Sequence, residues 1–136
     1  MRRRPRQVVS EPDEPPCRLV VVDDDIVVGM TLSIGLAGAE IIEAGRPSDG
    51  LMRVRESMPH AVIVDRFFPG ADGLDLVRSL RADAATSHLP IVVLSAAFDD
   101  DREEVEAAGA DAYLGKPFDP DALFAVVLDL VSRAPE

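Results

Sequence analysis

The chain has 136 residues, of which 47% are apolar and 29% are charged, a composition typical of one soluble globular domain with its own core. Asp and Glu total 25 against 14 Lys and Arg, and the formal net charge of −11 argues against general nucleic-acid binding, which needs a basic surface. The single Cys17 excludes an internal disulfide and a cysteine-based zinc site, and no apolar run is long enough for a transmembrane helix.

The first 17 residues differ in composition from the rest of the chain. They contain four Arg, three acidic residues and four Pro, with few apolar side chains and no periodicity. Such a segment cannot offset its ordering entropy by burying apolar surface, so we predict a disordered arm over residues 1–17. Weak docking of this arm to an acidic partner or an anionic surface is the alternative to a solvated tail. A folded domain over 18–133 and a short tail over 134–136 complete the predicted organisation.

Strand-length apolar runs alternate with segments of helical periodicity after the arm. In chain order the prediction is strand 19–22, helix 26–37, strand 40–44, helix 48–57, strand 61–64, a helix around 74–80, strand 90–94, helix 99–108, strand 111–114 and helix 120–132. The strands are runs of Val, Ile and Leu without polar alternation, which indicates burial on both faces. Because crossovers between parallel strands are right-handed, this order predicts a doubly wound α/β sheet with helices on each side.

Polar residues follow the apolar runs at four strand ends. The first strand ends in Asp23, Asp24 and Asp25, the third in Asp65, the fourth in Ser95 and the fifth in Lys116–Pro117. An open parallel sheet binds ligands at the carboxyl ends of its strands, so these distant positions are predicted to converge. Adjacent carboxylates raise one another's pKa unless a cation intervenes, and oxygen ligands favour Mg²⁺, with Mn²⁺ as the alternative. Together with a hydroxyl and an ammonium they suit a phosphoryl group, for which a carboxylate can be the nucleophile.

Four segments of the chain, taken together, resemble the receiver domain of bacterial two-component response regulators. They are Val22–Asp25, Asp65–Gly73, Val93–Ala96 and Gly115–Phe118. Each segment alone is weak evidence for the family. The four occur in the family's order, however, with 41, 30 and 21 residues separating Asp24, Asp65, Ser95 and Lys116. The resemblance covers residues 18 to about 133 and implies a flavodoxin-like, five-stranded parallel sheet with strand order 2-1-3-4-5 and helices on both faces.

The resemblance also implies a role for each matching position. Asp65 is expected to be the phosphoacceptor. The implied Mg²⁺ ligands are Asp23, Asp24, Asp65 and the backbone carbonyl of Phe67. Ser95, Ala96 and Lys116 are expected to hold the phosphoryl group, Ser95 and Tyr113 to form the switch, and the Lys116–Pro117 peptide bond to be cis.

The resemblance further implies partners and a cellular setting. The expected phosphodonor is a histidine kinase or a histidine phosphotransfer protein, and the expected output is a downstream protein target, with a homodimer as an alternative. We expect a stand-alone cytoplasmic signalling protein with no nucleic-acid or membrane contact, although a piece of a longer regulator is also compatible with the sequence. Beyond self-phosphotransfer and slow autodephosphorylation, no enzymatic activity is expected.

Two surface segments leave alternatives open. The first helix contains Gly29 and Gly35 and no charged residue, so it is either deeply buried against the last helix or exposes an apolar stripe to a helical phosphodonor or a second copy. The acidic helix 99–108 is either a solvated face or a charged output surface. Asp25 is expected to cap the first helix, and Asp72 to be a turn residue.

The loop after Asp65 departs from the usual pattern of the family. Phe67 and Phe68 are apolar for an active-site loop, and neither Phe67 nor Ala97 can orient a dephosphorylating water, so we hypothesise a long-lived phosphorylated state. A pseudo-receiver that docks without phosphorylation is one alternative function. A haloacid-dehalogenase-type phosphatase is another, because 23–25 matches its Asp-x-Asp motif, but Ile26 and the lack of an Asp-Asp motif after Lys116 count against it.

Overall fold

Five parallel strands alternate with five helices in the computed structural model, which describes residues 17–97 and 100–133. The strands of the sheet are β1 (Arg18–Val22), β2 (Glu40–Ala44), β3 (Ala61–Asp65), β4 (Ile91–Ser95) and β5 (Ala112–Gly115). The helices are α1 (Val27–Gly35), α2 (Pro47–Ser57), α3 (Gly73–Ala82), α4 (Arg102–Ala108) and α5 (Pro120–Arg133). A short antiparallel hairpin pairs Phe67–Phe68 with Ala71–Asp72. Within the described ranges, no helix is long and apolar enough to cross a membrane.

The sheet has the strand order β2-β1-β3-β4-β5, which confirms the predicted 2-1-3-4-5 topology. All four pairings are parallel, with Val22 opposite Ala44 and Val64, and Ser95 opposite Gly115. In this order β1 and β3 are neighbours although β2 lies between them in sequence. The carboxyl ends of β1, β3, β4 and β5 therefore meet at one edge of the sheet.

Alternating strand residues build a core on each face of the sheet. On one face Val20, Val62 and Val93 pack with residues of α2, α3 and α4, among them Val54, Leu74 and Val105. On the other face Leu19, Ile63 and Leu94 pack with residues of α1 and α5, among them Leu32 and Leu123. Because successive side chains of a strand point to opposite faces, an uninterrupted apolar strand fills both cores. Burial of this sheet fixes the positions of the strand ends that form the site.

The element boundaries differ from the predicted ones in a few places. Cys17 is buried in the core and its carbonyl accepts the N–H of Glu40, so the domain begins one residue before the predicted start and Cys17 is not part of an arm. Helix α1 ends at Gly35 instead of continuing to residue 37. Helix α4 begins at Arg102, whereas residue 99, the predicted start of this helix, lies outside the described residues, as do residues 1–16 and 134–136.

Three helix ends are stabilised by a carboxylate or by glycine. The Asp25 carboxylate accepts the N–H of Val27 at 3.0 Å and thus supports the start of α1. Asp72, predicted as a turn residue, is the N-cap of α3 and accepts the N–H of Leu74. Gly109 ends α4 in the left-handed region with φ of 114°, a conformation that glycine adopts without steric cost.

Candidate functional site

Two aspartates, one from the end of β3 and one just after β1, form the base of the site. Asp65 is the last residue of β3, and Asp23 directly follows β1, where its N–H donates to the carbonyl of Ala44. Both residues are buried, whereas Asp24 is exposed at the rim. Oxygen atoms of these three carboxylates lie within 4.8 Å of one another. The predicted convergence of residues 42 positions apart is therefore present in the structure.

Among the described residues, one ammonium group faces this carboxylate cluster. Lys116 follows β5, and its Nζ lies 3.1 Å from Asp65 Oδ1 and 3.3 Å from Asp23 Oδ2. Its backbone N–H donates to the carbonyl of Ser95, and the Lys116–Pro117 peptide bond is cis. Burial by itself lowers the pKa of the Lys116 ammonium, but the charges of Asp65 and Asp23 raise that pKa above its ordinary value. Lys116 is thus held in its charged form beside Asp65.

The pKa of Asp65 is raised, because burial disfavours its charged form and the charge of Asp23 repels it. The ammonium of Lys116 lowers this pKa without cancelling the increase, and Asp24 adds a further repulsion. One cation is therefore too little positive charge for the three carboxylates. A divalent cation with oxygen ligands fits such a donor set, so the residues present are suited to Mg²⁺ or Mn²⁺.

The loop after Asp65 places two aromatic rings in different environments. Phe68 is buried in the core, whereas Phe67 is 48% exposed and its ring lies under the Arg66 guanidinium, with 5.0 Å between Cζ and the ring centroid. Gly73 begins α3, and a Cβ there would collide with the carbonyl oxygen of Asp65. The absence of a side chain at Gly73 therefore allows α3 to start directly against the end of β3.

The predicted switch residues meet on one carboxylate, that of Asp101. Ser95 is buried, and its Oγ donates to Asp101 Oδ2 at 2.6 Å. The Tyr113 hydroxyl donates to Asp101 Oδ1 at 2.7 Å, and this bond raises the pKa of Tyr113. Arg66 Nη1 donates to the same Oδ2 of Asp101 at 2.6 Å, and Nη2 donates to Glu104. Ser95 and Tyr113 are thus connected through an acidic residue at the start of α4.

Sequence reasoning missed two members of this arrangement, Arg66 and Asp101. Asp101 is one of six acidic residues in the stretch 99–106, and nothing in the sequence separates it from its neighbours. Arg66 carried a usable signal, because it directly follows a fully buried strand, where a charged side chain needs a partner. Ala96, predicted to bind the phosphoryl group, is exposed beside Ser95, in a groove of about 880 Å³ that Phe67 and Asp101 also line.

Helix α1 exposes an apolar stripe next to the acidic cluster. Ile26, Val27, Met30 and Ile34 are between 51% and 80% exposed, while Val28 and Leu32 face the core. A Cβ on Gly35 would overlap the ring of Phe124 in α5, so α1 and α5 approach closely at that end only through glycine. Of the two interpretations of this helix, the exposed stripe is the one that the structure supports.

A profile described as "response regulator receiver domain" matches residues 19–128. This chain belongs to the response regulator receiver family. The predicted fold and family are thus confirmed, and the result agrees with the receiver interpretation rather than with the haloacid-dehalogenase one. Receiver domains act as phosphorylation-dependent switches between histidine kinases and downstream effectors, and the family binds Mg²⁺ in an acidic pocket. In this receiver domain the carboxylates of Asp23, Asp24 and Asp65 form an acidic cluster.

Relatives of this receiver domain include full-length regulators. Protein PetR of Rhodobacter capsulatus is 35% identical over 90% of this chain and 51% of its own length. The DNA-binding response regulator MtrA of Mycobacterium tuberculosis is 42% identical over 81% of this chain and 48% of its own length. The receiver domain therefore spans about half the length of these relatives. The absence of nucleic-acid contact predicted for the present chain stays a prediction.

Two solved structures similar to this receiver domain are covered by it over nearly their whole length. A putative response regulator from Chloroflexus aurantiacus is 35% identical, with a TM-score of 0.78 over 88% of this chain and 100% of that one. The chemotaxis response regulator CheY4 of Vibrio cholerae is 25% identical, with a TM-score of 0.74 over 84% of this chain and 98% of that one. The doubly wound sheet of this chain is therefore the complete fold of such domains.

Proposed function

We propose that Asp65 is the phosphoacceptor of this receiver domain, with a histidine kinase or a histidine phosphotransfer protein as donor. An Asp65 carboxylate oxygen attacks the phosphorus of the donor phosphohistidine, and an O–P bond forms as the P–N bond breaks. The donor imidazole keeps the electron pair of that bond and takes up a proton. The observation that supports this assignment best is the position of Asp65, buried at the end of β3 between Asp23 and the Lys116 ammonium.

The residues around Asp65 supply charge compensation for this transfer. Lys116 is close enough to the Asp65 carboxylate to contact a phosphoryl oxygen once the group is bound there. Asp23, Asp24, Asp65 and the backbone carbonyl of Phe67 are the proposed ligands of Mg²⁺, or of Mn²⁺, which would neutralise phosphoryl charge when bound. Ser95 and Ala96, at and after the end of β4, are proposed to donate to the remaining phosphoryl oxygen.

The output is proposed to be a change in a protein-binding surface. Phosphorylation changes the charge at Asp65 from about −1 to about −2 and adds strong acceptor oxygens beside Ser95. Ser95 and Tyr113 are proposed to rearrange in response, and both now contact Asp101 at the start of the acidic helix α4. The exposed stripe of α1, beside Asp24, supports docking of a helical phosphodonor, with a second copy of the chain as the alternative.

Labelling by acetyl phosphate in the presence of Mg²⁺, followed by intact-protein mass spectrometry, tests the proposal. Wild type and Asp75→Asn, a neutralised carboxylate on the exposed side of α3, should each gain one phosphoryl group, whereas Asp65→Asn should gain none. Equal labelling of Asp65→Asn would contradict the assignment, and no labelling of wild type would favour a pseudo-receiver. The decay of the adduct in the same assay tests the predicted long lifetime, which loss within seconds would contradict.

A further inference from the structure

Arg66, the residue next to the proposed phosphoacceptor, is the buried cation of the described part of the chain. Its side chain and that of Asp101 are each only 8% exposed, and Nη1 lies 2.6 Å from Asp101 Oδ2. Nη2 contacts Glu104, and Nε lies 3.5 Å from Asp72 Oδ1, too far for a hydrogen bond. A buried arginine with three acidic neighbours links the loop after β3 to the start of α4.

The Asp101 side chain points into the domain, although Asp101 occupies the N-cap position of α4. Asp101 is the N-cap of α4, yet within the described structure its carboxylate accepts no backbone N–H of that helix. Its two oxygens accept instead from Arg66, Ser95 and Tyr113. Three charge-assisted hydrogen bonds to one carboxylate are individually stronger than neutral ones, so the inward orientation is well supported.

The Ser95 hydroxyl can donate to only one acceptor at a time. A hydroxyl has one proton to donate. The Ser95 proton is directed to Asp101 Oδ2, while Ser95 Oγ accepts the N–H of Ala97 at 3.3 Å. Ser95 cannot donate to Asp101 and to a phosphoryl oxygen on Asp65 at the same time. Asp101 and the phosphoryl group therefore compete for the same proton.

We infer that Arg66 and Asp101 are positioning residues that hold Ser95 and Tyr113 away from the phosphoryl site. This inference rests on the proposed function of Asp65 and Ser95. Arg66 compensates the buried charge of Asp101, and Asp101 in turn holds both hydroxyl groups. We call this set of four residues, Arg66, Ser95, Asp101 and Tyr113, the latch.

The latch lowers the apparent affinity for a phosphoryl group by reducing the fraction of molecules that can bind it. A ligand's apparent dissociation constant is its intrinsic value divided by the population of the competent state. Removing the Asp101 carboxylate raises the population of the competent state. Ser95 then no longer has to break a hydrogen bond to a carboxylate before it can donate to a phosphoryl oxygen. Removing Arg66 leaves the Asp101 carboxylate buried without its guanidinium, and the carboxylate is then more stable turned toward the groove that it lines.

Binding of beryllofluoride with Mg²⁺, a mimic of the phosphoryl group, measures this effect in the full chain. The variants are Asp101→Ala and Arg66→Met, with Arg66→Lys as the conservative replacement. Glu103→Ala, an exposed acid on α4, and Arg78→Met, an exposed arginine on α3, are the matched controls. Circular dichroism establishes that each variant is folded. Because Tyr113 is the single tyrosine and Trp is absent, intrinsic emission reports on the Tyr113 hydroxyl, which a bound carboxylate quenches.

Asp101→Ala is expected to bind beryllofluoride about tenfold more tightly than wild type, the scale of one charge-assisted hydrogen bond. Its tyrosine emission should be high before ligand is added, whereas that of wild type and of both controls should rise only on binding. Arg66→Met should tighten binding in the same direction, and Arg66→Lys should lie between it and wild type.

Unchanged or weaker binding by folded Asp101→Ala would overturn the latch, as would wild-type emission in that variant. If Asp101→Ala binds beryllofluoride more tightly but Arg66→Met binds it with wild-type affinity, the role assigned to Arg66 is overturned. The proposed function fails separately: wild type and Asp65→Asn would then respond equally to beryllofluoride. If Arg66→Met does not fold, Arg66→Lys and Asp101→Ala still decide the outcome.

Discussion

Asp65 occupies an electrostatically unfavourable position in the absence of a bound cation. Burial and the neighbouring charge of Asp23 raise its pKa, and the ammonium of Lys116 offsets only part of that increase. In the unfolded chain the same carboxyl group is hydrated and distant from Asp23. The folded state therefore holds the protonated Asp65 more favourably than the ionised one, and folding is less favourable at a pH where Asp65 is charged.

Replacing Asp65 by Asn removes this unfavourable charge. At pH 7 and without divalent cations, Asp65→Asn is expected to unfold at a temperature a few degrees higher than wild type. The difference should shrink as the pH falls through the folded-state pKa of Asp65, because the wild-type carboxyl is then protonated as well. Lys116 does not reverse this trend, because the stabilisation that its raised pKa reflects is fully present throughout the acidic and neutral range and is lost only as the pH rises into the alkaline range.

Thermal unfolding followed by circular dichroism across the acidic pH range, with a chelator present, measures this difference. Asp75→Asn is the control, because its carboxylate side chain is 75% exposed and little desolvated. A lower unfolding temperature for Asp65→Asn at pH 7 would contradict the prediction.

The second helix ends in a conformation that its sequence does not favour. Met58 is the C-cap of α2 with φ of 46°, and its N–H donates to the carbonyl of Val54 at 2.8 Å. Residues with a Cβ are strained in this left-handed region, which glycine commonly occupies at helix ends. The Met58 side chain is 44% exposed, so its packing compensates only part of that strain.

Met58→Gly is therefore expected to stabilise the domain by about 0.5 to 1 kcal/mol. Met52 is a matched control, since it is an exposed methionine within the same helix. Met52→Gly should have the opposite effect and destabilise the domain by about 1 kcal/mol, because glycine in a helix interior loses more backbone entropy. Urea unfolding of both variants measures these differences, and equal effects at the two positions would contradict the assignment of strain to Met58.

Across the whole molecule, the excess of negative charge has both a general and a local component. The formal net charge of −11 produces a diffuse repulsion, which any salt screens. The cluster of Asp23, Asp24 and Asp65 is local, because its oxygen atoms are close enough to share one ion. These two components respond differently to a divalent cation and to a monovalent salt.

At matched ionic strength, MgCl₂ is expected to raise the unfolding temperature of wild type more than NaCl does. The physical reason is mass action, which stabilises the folded state by about 2.7 kcal/mol when the ligand is at 100 times its dissociation constant. Asp24→Asn should lose this additional stabilisation, and Asp75→Asn should retain it. Equal effects of the two salts on wild type, measured by thermal unfolding, would show that the cluster binds no Mg²⁺.

Much of the fold and of the site was predictable from local sequence features. Runs of Val, Ile and Leu indicate strands buried on both faces, and their alternation with helices permits few topologies. Because parallel strands end at a common edge, Asp23, Asp65 and Lys116 were expected to meet without any knowledge of their distances. The end of the acidic helix at residue 108 was predictable as well, since glycine, which follows it, is the residue that most often ends a helix.

Other features depend on which surfaces pack together, and the sequence does not specify them. Cys17 belongs to the core because the backbone before β1 pairs with β2, a contact between residues distant in sequence. The stripe on α1 is exposed because the opposite side of that helix packs against the sheet and α5. The Asp101 carboxylate accepts from Arg66, Ser95 and Tyr113, which lie on three other segments of the chain, and no local pattern predicts these contacts. Local pattern identifies residue types and strand ends, whereas the partner of a buried charge is set by the packing of the whole domain.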